Sequence, residues 1–267
     1  VDTGFIVLNN QNYPLFTQFL KQLNVPIRSS DMSFAFEDRE SGFTYAGSTL
    51  SGLFADRKNL LSPTFYRFLG EILRFCRVGQ KLLAVGSEVG SISLGAFLKA
   101  GRYSDLMRDC YLLPMGAAIW SVPLGQVLEF PVHNFLHFLA NHGLLSLRNR
   151  PQWQTVVGGS HQYLKAFQRS FKGTIRLNAP VKLIETSEAG SIVTEENGES
   201  AQYDATVIAA HADQALRLLG DATPAERERL GAWRYQSNRT VLHTDISHLP
   251  TNRRAWASWN YSRGDEV

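Results

Sequence analysis

NAPVKLIETSEAGSIVTEENGESAQYDATVIAAHADQALRLL, residues 178–219, decides the fold class. Its most informative part is TVIAA, residues 206–210, continuously apolar and β-branched at its start, as a strand covered on both faces must be. It runs straight into ADQALRLL, which has helical character, and a buried strand feeding a helix is the repeating step of an α/β sheet. Before it, PVKLIETS and SIVTEENG read as strands separated by turn residues.

Working outward, WQTVV (153–157) leads through Gly158, Gly159 and Ser160 into a helix with Tyr163, Leu164, Phe167 and Phe171 on one face, and TIRLN (174–178) reads as a further strand. Downstream, Thr223-Pro224-Ala225-Glu226 is a capping box with a first-turn proline, so a helix starts there. RTVLHTDIS (239–247) and RRAWASWNYS (253–262) then alternate as strands around a turn at residues 249–252.

The first half has a different character. VDTGFIVLNN reads as a short strand, and Leu15, Phe16, Phe19, Leu20 and Leu23 mark a helical stripe after Pro14. Aromatic-rich stretches on either side of residues 39–42 predict a hairpin. Ser62-Pro63 caps a helix burying Phe65, Phe68, Leu69, Ile72 and Cys76 with Arg67, Glu71 and Arg74 outward; Pro131 opens another that buries Val132, Phe135, Leu136 and Leu139 and stops at Gly143. The run from Cys110 to Leu128 is uncharged, yet Pro114, Pro123, Gly116, Gly125 and Gln126 break it too often for a spanning helix. A buried, bent segment walling an apolar pocket is the expectation.

The chain has 267 residues, 44% apolar and 19% charged, with a formal charge of +3, which excludes disorder as the main state and demands no polyanionic partner, so no nucleic acid is expected. Cys76 and Cys110 are the only cysteines, too few for a disulfide framework or a thiolate metal site. A reducing, cytoplasmic setting is the default. His133 and His137 have the spacing of a zinc pair, but no glutamate follows the first and no third ligand is evident, so no metal is expected. Gly158-Gly159 at a helix start suits a phosphate. No complete G-x-G-x-x-G, G-x-S-x-G or Walker loop is present.

Three segments, in order, resemble the flavin-containing amine oxidase family, which also includes protoporphyrinogen oxidase-like and carotenoid desaturase-like enzymes. VDTGFIVLNNQNYPLFTQFLKQLNV resembles the strand, glycine and helix that skirt the flavin ring; VVGGSHQYLKAF resembles the re-entry into the FAD domain; residues 178–219 resemble the strands that follow. YLLPMGAAIWSVP, NHGLL, RPQWQTVVGGS, VLHTD and AWASWNY are similar to a bacterial subgroup of NAD/FAD-binding proteins. Relative to that subgroup the chain looks like an internal piece.

The resemblance implies an α/β (mixed α+β) chain, a partial Rossmann-like FAD domain (1–25 and 152–232) interleaved with a largely helical substrate domain carrying a β-sheet (26–151 and 233–267). It implies FAD as cofactor, approached by Thr3, Gly4 and Phe5, with the Val181 backbone at the adenine and Ala209 and Ala210 close to the cofactor; two alanines equally suit tight strand packing. Where many members carry a lysine near the flavin, this chain has none after Lys182. His243 is the candidate proton acceptor there, or else a strand histidine bonded to Asp245 or backbone. Trp259 and Tyr261 share a strand face opposite Trp256 and are candidates for the substrate wall. The implied function is hydride transfer from a small apolar substrate, a fatty acyl chain or an amine, to flavin. The alternative is a non-catalytic lipid-binding or membrane-peripheral protein, and oligomeric state is left open.

Overall fold

The computed structural model describes residues 2, 4–85, 92–146 and 150–264. The chain divides into two compact units, Val1–Phe171 with His243–Val267, and Lys172–Leu242.

In the first unit the expected hairpin forms as β2 (Phe34–Asp38) and β3 (Thr44–Ala46), and β8 (Trp259–Arg263) adds to β2 in parallel, with Phe36 opposite Tyr261. A small second sheet pairs β1 (Ile27–Ser29) with β4 (Gln154–Val156), antiparallel. The start of the chain, expected as a strand, makes among the described residues one isolated bridge, from Leu8 to Gln154.

The main core is helical and aromatic. Ser62 Oγ accepts the Phe65 amide at 3.2 Å and Pro63 occupies the first turn of the Pro63–Val85 helix, whose buried side includes Phe65, Phe68, Phe75 and Cys76. Val132–Asn141 packs Val132, Phe135, Leu136 and Leu139 into the same core, and Gly143 follows at φ +70°. Glu71 departs from the outward position expected of it. It is buried, because its Oε2 accepts both the amide and the hydroxyl of Ser104, a partner 33 residues away that periodicity does not reveal.

The uncharged run is bent as expected. A π-turn at Arg108–Leu112 passes into the helix Leu113–Trp120, Ser121 turns left-handed at φ +51°, and a short helix covers Leu124–Val127. Leu113, Pro114, Met115 and Gly116 are buried, and among the described residues no helix is long and apolar enough to cross a membrane.

The second unit is the antiparallel meander β5 (Val181–Ser187), β6 (Gly190–Glu195) and β7 (Ser200–Tyr203), followed by the helices Ala212–Leu218 and Pro224–Gly231. The Thr223 capping box forms with both bonds to Glu226. The expected strands at 174–178, 206–210 and 239–247 are not strands here, the last ending in a tight 3₁₀ turn at Ile246–His248. Propensity supplies half of a ladder; the other half is a neighbour's N–H and C=O groups, and among the described residues these segments meet none. Val207, the second residue of TVIAA, is 91% exposed. The mixed helix-and-sheet class stands.

Candidate functional site

The segment around Gly4 is fastened to β4 and to the Gly158-Gly159 turn. Thr155 Oγ1 donates to the Ile6 carbonyl and Ser160 Oγ to the Phe5 carbonyl, each at 2.8 Å. The Asp2 carboxylate accepts the Ser160 amide at 2.9 and 3.1 Å. That bond corrects the phosphate reading of the glycine pair: the start of the His161–Ser170 helix already holds an anion, supplied by the chain itself. Gly158 and Gly159, at φ +79° and +89°, let the turn come close enough.

So fastened, Gly4 and Phe5 face a cavity of about 290 Å³. Its walls are mostly apolar: Ile6 and Val7 beside them, Met115 and Ile119 from the bent run, Phe138, Trp153 and Trp259. Trp259 is held there by its amide, which donates to the Ser33 carbonyl at 3.0 Å. Tyr261, two residues on, stacks on Phe36 with ring centroids 6.0 Å apart and is not among the cavity's lining residues. Thr3 lies outside the described residues.

A second cavity of about 340 Å³ shares Met115, His142, Leu144 and Trp153 with the first, and adds Asp31, Ser48, Tyr111, Arg150 and Gln152. Sequence reasoning missed His142 and Arg150; the only signal was their place in NHGLL and RPQW. The His142 ring stacks on Phe138 at 3.9 Å and on Trp153 at 5.9 Å. Its Nδ1 lies 2.9 Å from the Phe138 carbonyl, which can only accept, so Nδ1 carries a proton. Burial pushes the Tyr111 hydroxyl far above its ordinary range, so this floor residue stays neutral.

His243, in the first unit, lines neither of these cavities. It is exposed; its Nδ1 accepts the Asp245 amide at 3.2 Å and its ring meets His248 at 4.8 Å. In the second unit, Val181 lines a shallow cleft of about 340 Å³ with Ala205, Thr206 and Val207, while Ala209 and Ala210 are exposed beyond it. His133 and His137 are exposed, and among the described residues no group of three or more potential ligands gathers for a metal. A larger, open cleft of about 1190 Å³ includes Arg57, Arg253, Arg254 and Trp256 in its walls, but none of the expected cofactor residues.

The residues present fit a flavin ring at the first cavity. A Cβ built on Gly4 meets nothing within 4 Å, and the walls are the apolar, aromatic surfaces against which a flat tricycle packs.

Over residues 1–260 the chain matches the family described as flavin containing amine oxidoreductase. No curated protein sequence matches significantly. Among solved structures, a redesigned putrescine oxidase is similar at 15% identity and a TM-score of 0.65, covering 86% of this chain and 52% of that one. Cyclohexylamine oxidase from Brevibacterium oxydans IH-35A is similar at 16% identity and a TM-score of 0.61, covering 87% and 52%. A fatty acid isomerase from P. acnes follows at 13% and 0.51, covering 86% and 52%. The chain thus spans about half the length of the structures it matches. It belongs to the flavin-containing amine oxidoreductase family, whose cofactor is FAD.

Proposed function

We propose that the full-length protein is an FAD-dependent oxidoreductase that takes a hydride from an apolar substrate held in the cavity at Gly4 and Phe5. The observation that carries this reading is that one apolar cavity joins the glycine segment expected beside the flavin to Trp259, expected on the substrate wall. Bound there, the flavin supplies the two-electron acceptor. The chain's own part is positional. Gly4 leaves room for the ring, Met115, Ile119 and Phe138 exclude water, and Trp259 limits the substrate's approach. Residues 1–25 and 152–232 serve the cofactor and 26–151 and 233–267 the substrate, with the Val181 backbone at the adenine and Ala209 and Ala210 near the cofactor. A fatty acyl chain is the first substrate class and an amine the second.

The test is the visible absorbance of the purified full-length protein, before and after denaturation. A two-band flavin spectrum released on unfolding supports the reading; a colourless protein that takes up no added FAD overturns it. Because nothing crowds Gly4, Gly4→Leu is expected to leave the fold intact and to lose bound flavin; retention of stoichiometric flavin places the ring elsewhere. For His243 as proton acceptor, His243→Ala is expected to slow flavin reduction by substrate at least about tenfold, the low end of general-base contributions. An unchanged rate removes it from the mechanism.

A further inference from the structure

We propose that the substrate is an amphipathic carboxylate, its alkyl chain against Met115 and Trp259 on the side of the first cavity away from the ring's place at Gly4, and its carboxylate on the Arg150 guanidinium in the adjoining cavity. This rests on the reading above for the identity of the first cavity. The geometry behind it is a change of character across a shared wall. On one side of His142 and Trp153 the lining is almost wholly apolar; on the other it includes Ser48, Gln152, Asp31 and Arg150. A molecule spanning both needs a tail without hydrogen-bonding groups and a polar head.

Arg150 decides the sign of that head. Its Nε donates to the Ser146 carbonyl at 2.7 Å, which holds the guanidinium at the chamber, and among the described residues no carboxylate pairs with it. A forked cation with no carboxylate partner among the described residues, at the polar end of an apolar slot, matches a carboxylate with charge-assisted N–H···O bonds. Asp31, on the same chamber, makes a primary amine the competitor to exclude. His142, clamped between Phe138 and Trp153, is the fixed divider past which the chain threads.

The experiment is calorimetric titration of the full-length protein with dodecanoate, dodecan-1-ol and dodecylamine below their micellar concentrations, on samples whose flavin spectrum is recorded first. Dodecanoate is expected to bind tightest. Arg150→Gln is expected to weaken dodecanoate about tenfold or more, the scale of a lost charge-assisted pair, while leaving dodecan-1-ol unchanged, and Arg150→Lys to restore part of the loss. Arg150 is exposed, so these variants should fold. Dodecylamine binding as tightly as dodecanoate, or Arg150→Gln without effect, overturns the carboxylate assignment. A flavin-bearing protein that gives either result loses this assignment alone; a protein that takes up no flavin loses the oxidoreductase reading, whatever the titrations show.

Discussion

Asp38 sits at the end of β2 with its side chain only 5% exposed, and the guanidinium of Arg263, across the parallel pairing with β8, lowers its pKa from 3.8 to about 2. Ser41 and the Glu40 amide add smaller contributions in the same direction, against the cost of burial. Because the folded value lies below the unfolded one, this carboxylate's contribution is complete above about pH 4 and is lost as pH falls from there through about 2. Arg263 is 44% exposed, which weakens the pair, so the amount is about 1–2 kcal/mol. Arg263→Gln should lower stability at pH 7 by that order and flatten acid unfolding between pH 4 and 2, as read by urea midpoints across that window. An unaltered pH profile would mean that Arg263 does not set the Asp38 titration. Glu71 offers a parallel case, in which hydrogen bonds from Ser104 to Oε2 stand beside a longer ion pair of Oε1 with the exposed Arg67 at 3.5 Å. Glu71→Ala strands the Ser104 amide and hydroxyl and is expected to cost about 1–3 kcal/mol in denaturant unfolding, whereas Glu71→Gln, which keeps an acceptor, should cost less than half of that.

At the scale of elements, what sequence reads well is what is decided locally. Pro63–Val85 has its Ser62 cap, first-turn proline and apolar stripe, and Val132–Asn141 has Pro131 just before it and its own apolar stripe, all within a few residues, and both form where expected. TVIAA and RTVLH carry strand propensity just as clearly and form no ladder, because pairing needs a neighbour that the topology of the described residues does not bring. The site divides the same way. Gly4, Phe5 and Trp259 meet at one cavity, but His142 and Arg150 acquire meaning only when the 110–128 run folds against residues 138–153, and no spacing rule encodes that. The bend in that run has its own requirement. A Cβ on Gly116 would lie 2.6 Å from Val127 Cγ1, so the Leu113–Trp120 helix and the turn after Pro123 approach closely only with glycine there. Gly116→Ala should therefore destabilise by about 1–3 kcal/mol by overpacking. Adding Val127→Ala should recover part of that loss, so the two effects are non-additive in a double-mutant cycle; simple additivity would show that the contact is not what glycine serves.

For the whole molecule, the two units differ in how their backbones are satisfied, and this has a kinetic readout. In the second unit β5 and β6 exchange bonds along most of their length, from Val181 opposite Glu195 to Ser187 opposite Gly190. Residues 205–210, the most strand-like stretch by composition, have exposed side chains apart from the half-buried Ile208 and belong to no ladder. Amide exchange reports the free energy of opening, and an amide with no bond to open has none to report. In the 267-residue chain, the amides of residues 205–210 should exchange at nearly the rate of an unstructured peptide, while those of Leu183–Thr186 are slowed by orders of magnitude. Equal protection of the two segments would mean that TVIAA has found a ladder partner, and the sheet of the second unit would then be larger than three strands. The full-length protein sharpens the comparison, because the chain spans only about half the length of the structures that share its fold. If slow exchange at 205–210 appears there and not in the shorter chain, the strand signal in the sequence is an instruction to pair with residues outside these 267.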